Sequence, residues 1–244
     1  METRDIHERI ESLSTDDGTR IGYRCLGEGP VVVIVPGGMM TSRQYLPLGA
    51  LLASAHTIVV MDRRGHGLSG PISQPHGMER EVKDLTCLLE HVGADRVFGH
   101  SAGGVIALQT ALRRPIARLA VFEPPVLIND LLPVAWLPAF EAALKQGRRL
   151  SAMALFQQGM RMNWVSRIPR PLLDAFLWVM LRGEDGREAF DLLPTLPIDF
   201  QLLPAMADRR EYAQLRAETL ILGGMRSPDY LLEAVNRLLT PEVR

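Results

Sequence analysis

The sequence predicts an α/β fold: a mostly parallel, doubly wound sheet in a single domain over 1–244, with its core in 1–125 and 218–244 and a helical cap insertion over about 126–217. Three observations predict it. Short β-rich runs alternate with helical patterns through the first half, the usual mark of a parallel sheet with helices on both faces. The run Gly99-His100-Ser101-Ala102-Gly103 stands between a strand pattern and a helix pattern. The strand patterns then cease after Pro125 and resume only at Thr219–Leu222.

The elements follow in order. Thr19–Cys25 is an early strand after the turn Asp16-Asp17-Gly18. Val31–Val35 is a continuous β-branched run, as expected of a strand buried on both faces, and it ends at the breaker Pro36-Gly37-Gly38. A helix is expected after Thr41 or Ser42, then a strand over Thr57–Met61 and the loop Asp62-Arg63-Arg64-Gly65-His66-Gly67. Between Met78 and Val92 the residues Val82, Leu85, Leu89 and Val92 recur at helical spacing, and Gly93 is a plausible stop. Arg96–Gly99 is the strand that feeds Ser101. The helix after it carries Val105, Leu108 and Leu112 on one stripe and ends near Pro115. Arg118–Phe122 is a further strand, closed by Glu123-Pro124-Pro125. From Val126 to about Ala217 lie many prolines, all three tryptophans (Trp136, Trp164, Trp178) and a cluster of methionines, with helical patterns such as Ala175–Leu181. After Thr219–Leu222 come Gly223-Gly224, then Ser227-Pro228 as an N-cap with proline at the first helical position, and a helix carrying Leu231, Val235 and Leu238.

Composition narrows the function. The 27 basic and 28 acidic residues leave a formal net charge of −1, which points to neither nucleic acid nor an anionic membrane as partner. The two cysteines, Cys25 and Cys87, are far apart and read as free, buried thiols of a reducing, cytoplasmic compartment. The charged start Met1-Glu2-Thr3-Arg4-Asp5 has no apolar run behind it, so no signal peptide is expected, and no segment is long and apolar enough to span a bilayer. Histidine pairs at metal-ligand spacing and clustered cysteines are absent, as are the glycine patterns of nucleotide-binding loops.

Gly99-His100-Ser101-Ala102-Gly103 matches G-x-S-x-G, the nucleophile elbow, in which a sharp strand-to-helix turn holds a serine in a strained conformation. Gly99 and Gly103 lack a Cβ, so strand and helix can approach closely. The turn presents the Ser101 hydroxyl at a helix start, where backbone N–H groups are unpaired. Together with Val35-Pro36-Gly37-Gly38-Met39, Asp62-Arg63-Arg64-Gly65-His66-Gly67-Leu68-Ser69 and the helical insertion, this elbow makes the chain resemble the α/β-hydrolase fold family, of the cofactor-free, esterase- and lipase-like serine hydrolase kind. The resemblance covers nearly the whole chain. It departs from the family pattern at Pro36, where a histidine often stands.

The resemblance implies roles for particular residues. Ser101 is the candidate nucleophile toward an ester, thioester or lactone carbonyl; a serine that only caps a helix is the alternative. Ala102 supplies one oxyanion-hole N–H, and Gly38 or Met39 the second; a glycine turn serving only topology is the alternative. The acid is expected after the Thr219–Leu222 strand, where Ser227 stands in the usual place of an aspartate and Asp229 is near. Some family members instead place it where Glu123 lies, and Glu123 is favoured here because two prolines fix its backbone; a salt-bridged carboxylate at the cap's mouth is the alternative. Asp229 is adequately explained by the helix dipole. Serine at position 101 excludes the family's aspartate-dependent epoxide hydrolase and dehalogenase chemistry.

The base is the missing part. The six histidines are His7, His56, His66, His76, His91 and His100, and none follows Ser101. His100 is expected to pack or hydrogen-bond beneath the turn, and His66 to bond local backbone. The chain is therefore expected to lack its catalytic histidine and final strand, as a truncated enzyme, a degenerate copy or a binding protein on the same scaffold. Thr219–Leu222 would then be an open sheet edge, a site of self-association. A cap over the strand ends needs an apolar underside, and Met153, Met160 and Met162 are candidates to line a pocket of loose specificity. The expected substrate is small, uncharged and mainly apolar.

Overall fold

The computed structural model describes residues 7–126, 133–161, 164–202 and 209–239. Seven strands form one sheet: β1 (Arg9–Ser14), β2 (Arg20–Leu26), β3 (Val31–Val35), β4 (Thr57–Met61), β5 (Arg96–His100), β6 (Arg118–Phe122) and β7 (Glu218–Leu222). Their spatial order is β1-β2-β4-β3-β5-β6-β7. β1 and β2 run antiparallel to their neighbours, and every pair from β4 through β7 is parallel. The fold is thus the mostly parallel α/β sheet that the sequence predicts. β1 is the one strand absent from that expectation. Its residues are mostly exposed, Ile10 included, so it lacks the apolar run that marks a buried strand.

The β-branched run of β3 sits at the sheet centre, and Val33, Ile34 and Val35 are fully buried. On one face, Val33 and Val35 pack with α2 (Met78–His91) and α3 (Ala102–Ala111) in the main core; on the other, Ile34, Ile58 and Val60 meet Tyr45. Val82, Leu85 and Leu89 give α2 the buried face predicted for it. α3 differs from its predicted single stripe: Gly103 through Thr110 are all buried, because α3 is enclosed on every side. The expected helix after Thr41 is a 3-10 turn, Ser42–Tyr45, leading into α1 (Leu46–Leu52).

Between β6 and β7 the described residues hold no strand but six α-helices: α4 (Leu137–Lys145), α5 (Arg149–Met160), α6 (Arg170–Met180), α7 (Glu184–Asp191), α8 (Leu196–Leu202) and α9 (Arg209–Tyr212). α4 through α8 share a core of their own, built on Phe140, Ala152, Leu173 and Leu193, into which Met39 inserts from the loop after β3, whereas Tyr212 of α9 packs in the main core. Trp136 packs edge-on against Phe140, Phe156 and Phe200, whereas Trp178 is exposed beneath the Arg182 guanidinium. The Trp164 side chain and Met162 lie outside the described residues, as do residues 1–6 and 240–244. The last helix, α10 (Asp229–Leu239), begins one residue later than predicted. Pro228 offers its carbonyl to the N–H groups of Leu231 and Leu232, and the Ser227 hydroxyl, expected to cap the helix, is bonded elsewhere. Cys25 and Cys87 are both free; Cys25 is buried and Cys87 half-buried. No described helix is long and apolar enough to cross a membrane.

Candidate active site

Register brings the chemistry to one edge. Val35 pairs with Gly99, His100 with Phe122, and Phe122 with Leu222, so β3, β5, β6 and β7 end side by side. The residues that follow each strand therefore share the carboxyl edge of the sheet, where ligands bind in open α/β folds. The ladder continues one step beyond the strands: the Ser101 N–H donates to the Phe122 carbonyl at 2.9 Å, and the Glu123 N–H to the Leu222 carbonyl at 2.9 Å.

Ser101 sits at φ 50° and ψ −121°, a region that a residue with a Cβ rarely enters. Such a conformation costs about 1–3 kcal/mol and persists only where its surroundings over-determine it. Two glycines do so here. A Cβ on Gly99 would lie 2.6 Å from the Gly103 carbonyl oxygen, and one on Gly103 would lie 2.2 Å from the Val35 carbonyl oxygen. Strand, turn and helix are thus in backbone contact. Among the described non-glycine residues, φ is positive at Met39, Ser101, Glu123 and Arg161. The first three lie in loops after β3, β5 and β6, and Arg161 ends α5.

Ser101 lines a cavity of about 130 Å³. Gly38 and Ala102 line it as well, so the proposed nucleophile and both favoured oxyanion donors share one space. Met39 does not border it; its side chain is spent on the core of the helical insertion, and Met40 takes the place beside the cavity. The insertion closes the space with Phe156, Met160, Leu196, Asp199 and Phe200. Met160 stands where the apolar underside was expected, but Met153 is buried within the insertion's core. Tyr230 and Leu231 close the remaining side from α10. The Tyr230 hydroxyl donates to the Met160 carbonyl at 3.1 Å, and burial together with the nearby Glu123 carboxylate pushes its pKa up to about 12.

His100 also borders the cavity, but as a brace. Its Nδ1 lies 2.7 Å from the Tyr45 hydroxyl, which in turn accepts the Gly37 N–H at 3.1 Å. Its ring packs against Phe122 with centroids 5.5 Å apart. Tyr45 thereby ties the elbow to the loop that carries Gly38. Burial holds His100 below the ordinary histidine pKa and favours the neutral ring. His66 is buried away from this cavity, with Nδ1 2.8 Å from the Arg64 carbonyl and Nε2 3.3 Å from the Thr195 hydroxyl. Both histidines do what their positions in the sequence imply.

Glu123 is buried, and its carboxylate reaches across to the β7–α10 loop. Oε1 accepts the Gly224 N–H at 3.0 Å and the Ser227 hydroxyl. A carboxylate rooted after β6 thus stands beside the loop after β7, the two places weighed for the acid. Asp229, by contrast, is exposed on the first turn of α10. Glu123 does not line the Ser101 cavity; it borders a second, open depression of about 500 Å³ with Met225 and Arg226. The described residues hold no cluster of three histidine, cysteine or carboxylate side chains arranged for a metal ion.

The Asp62–Ser69 loop acts from behind. Asp62 accepts the N–H and hydroxyl of Ser42 and the N–H of Leu68. Arg63 is buried and donates through Nη2 to Glu81 on α2 and Asp199 on α8, each at 2.6 Å. Arg64, equally buried, bonds Asp84 and Asp17. Asp199 and Tyr230 are two polar cavity residues that the sequence did not single out. Asp199 did carry a signal: it is the one charge in the apolar stretch between Asp191 and Asp208.

Comparison with known proteins agrees with this fold. The model of the alpha/beta hydrolase family matches residues 32–243. An alpha/beta hydrolase from Sphaerobacter thermophilus DSM 20745 superposes with a TM-score of 0.78 at 30% identity, covering 93% of this chain and 87% of that one. An uncharacterized hydrolase, YraK, from Bacillus subtilis (strain 168) is 34% identical over 119 residues, 47% of this chain and 44% of its own. A non-heme haloperoxidase from Rhodococcus erythropolis is 27% identical over 149 residues, 56% of this chain and 54% of its own. The chain thus spans about half the length of these two curated relatives.

Proposed function

The chain belongs to the α/β-hydrolase family, and on that premise we propose that it is a serine hydrolase cleaving an ester, thioester or lactone of a small, mainly apolar compound through an acyl-enzyme on Ser101. The observation that carries this reading is Ser101 itself, held at φ 50° on the wall of a mostly apolar cavity that Gly38 and Ala102 also border. In the reaction the Ser101 oxygen bonds to the carbonyl carbon and gives its proton to the imidazole that Glu123 would orient. The carbonyl oxygen becomes an alkoxide held by the N–H groups of Gly38 and Ala102. Collapse expels the leaving alcohol, which takes up the proton, and water then releases the acid by the reverse path. Removing one such amide donor costs about 3–4 kcal/mol of transition-state stabilisation in a studied protease. Glu123 is the acid in this reading, bonded at Oε1 by Gly224 and Ser227; it would orient the imidazole of a histidine that is not among the six of this sequence. The setting is cytoplasmic, in keeping with the free thiols of Cys25 and Cys87.

A specific observation favours a second reading, a binding protein without turnover. Among the described residues His100 is the histidine that borders the cavity, and its Nδ1 is engaged by Tyr45. A fluorophosphonate probe separates the two. Labelling that vanishes in Ser101→Ala is expected of the hydrolase; an unlabelled protein that still binds small apolar ligands is the binding protein.

A further inference from the structure

Asp199 presents a problem that the proposed reaction does not solve. Its side chain is 8% exposed and comes from α8 to the cavity that holds Ser101. Oδ1 accepts the Arg63 guanidinium at 2.6 Å. Oδ2 is buried and has no hydrogen-bond partner among the described residues. A carboxylate oxygen buried without a donor is costly, and native structures rarely leave one so. Arg63 does not balance it alone, because the same Nη2 also serves Glu81, a second buried carboxylate.

The place of Oδ2 indicates what its donor should be. A Cβ built on Gly38 would lie 2.6 Å from Oδ2, so this oxygen abuts the loop proposed to hold the carbonyl oxygen. Because Asp199 lines the Ser101 cavity, a donor that reached Oδ2 from that side would belong to a molecule bound there, close to Gly38. Met40, Phe156 and Phe200 make much of the cavity wall apolar, and such a wall penalises a charged group more than a neutral one.

We propose that Asp199 is a specificity-determining residue that accepts a hydrogen bond from a hydroxyl group on the substrate's acyl part, close to the scissile carbonyl. The proposal rests on the hydrolase reading for the word acyl, but the recognition it describes needs no turnover. Arg63 holds the carboxylate in place, Gly38 sets its distance from the carbonyl, and the hydroxyl supplies the donor that Oδ2 lacks.

The test uses two uncleavable ketones, 4-hydroxypentan-2-one and 4-methoxypentan-2-one, titrated against the purified chain by ligand-observed NMR. The hydroxy compound should bind at least tenfold tighter, because the methoxy compound has no proton to give. In Asp199→Asn the amide oxygen can still accept from Arg63 while the amide nitrogen turns a donor toward the cavity. The gap should then fall below threefold, since the methoxy oxygen accepts from that donor. Equal binding of the two ketones to the unmodified protein, binding of neither, or an undiminished gap in folded Asp199→Asn would overturn the proposal. The comparison on the unmodified protein stands even if the variant does not fold. A hydroxyl preference without fluorophosphonate labelling of Ser101 removes the hydrolase reading and keeps this one; labelling without the preference does the reverse.

Discussion

Ser101 keeps its unusual backbone because its neighbours cannot move apart, and the glycines carry that constraint. Gly103→Ala puts a methyl group 2.2 Å from the Val35 carbonyl oxygen and 2.4 Å from that of Pro36, backbone atoms at the end of a central strand. Overpacking of this kind costs about 1–3 kcal/mol, so urea unfolding should show a clear drop in stability. Labelling of Ser101 in whatever fraction folds should fall with it, because the same shift opens the elbow. A second residue-scale effect is pH. Burial lowers the pKa of both His66 and His100, so the folded state resists protons that the unfolded chain takes up near pH 6.5. The sign follows: this stability is complete above about pH 6.5 and is lost as pH falls toward the folded values. The melting temperature should decline from pH 8 to pH 5, and the decline should be shallower in His66→Gln. A melting temperature flat over that range would show that neither imidazole is kept neutral by the fold.

Elements are joined to one another through buried charge as well as apolar packing. Arg63, in the loop after β4, links α2 through Glu81 to α8 through Asp199. Burial works against ionised Glu81, but attraction to Arg63 and the bonds from His76 and Arg63 outweigh it and hold its carboxyl far below the usual range. This contribution is present above the ordinary carboxylate pKa and is lost only as pH falls well below it. Arg63→Met should cost about 3–5 kcal/mol, since it strands two buried carboxylates. Arg118→Met, which removes an exposed pair with Glu218 between β6 and β7, should leave the urea midpoint nearly unmoved. A small effect at Arg63 would mean that water or protonation already satisfies the cluster. The same contrast explains what was legible in the sequence. Val31–Val35 announced itself because a strand buried on both faces must be apolar throughout, and Thr57–Met61 is nearly so; Arg118–Phe122 was legible from Leu119 to Phe122, although Arg118 is exposed. β1 did not, because an exposed edge strand carries no such pattern. The elbow, Gly38 and Ala102 were legible because adjacent residues build them. The meeting of Asp199 with Arg63 spans 136 positions, and only tertiary packing brings it about.

At the scale of the whole molecule, the sheet of the described residues has β7 at one edge. Among the described residues β7 pairs with β6 alone, so one row of its N–H and C=O groups has no neighbouring strand. Side chains alternate across the strand: Ile221 packs against the main core, whereas Leu220 is 56% and Leu222 38% exposed on the opposite face. An edge that is both unpaired and apolar on one face is what natural sheets avoid with charge or cover. No Lys or Pro lies within Glu218–Leu222, and its single charge, Glu218, stands at the start. Two copies related by a twofold axis would join these edges antiparallel and set their exposed leucines side by side. Sedimentation of the chain at tens of micromolar should therefore show a dimer or a larger species. Leu220→Lys should return it to a monomer without lowering the unfolding midpoint of the dilute protein, because that side chain already faces solvent. The depression beside Glu123 lies at the carboxyl end of this strand, so the same association should shield Met225 and Arg226 from trypsin and from oxidants. A chain that sediments as a monomer at every concentration, with Leu220→Lys indistinguishable from it, would mean that the twist of β7 and the charge of Glu218 are enough to keep the edge apart.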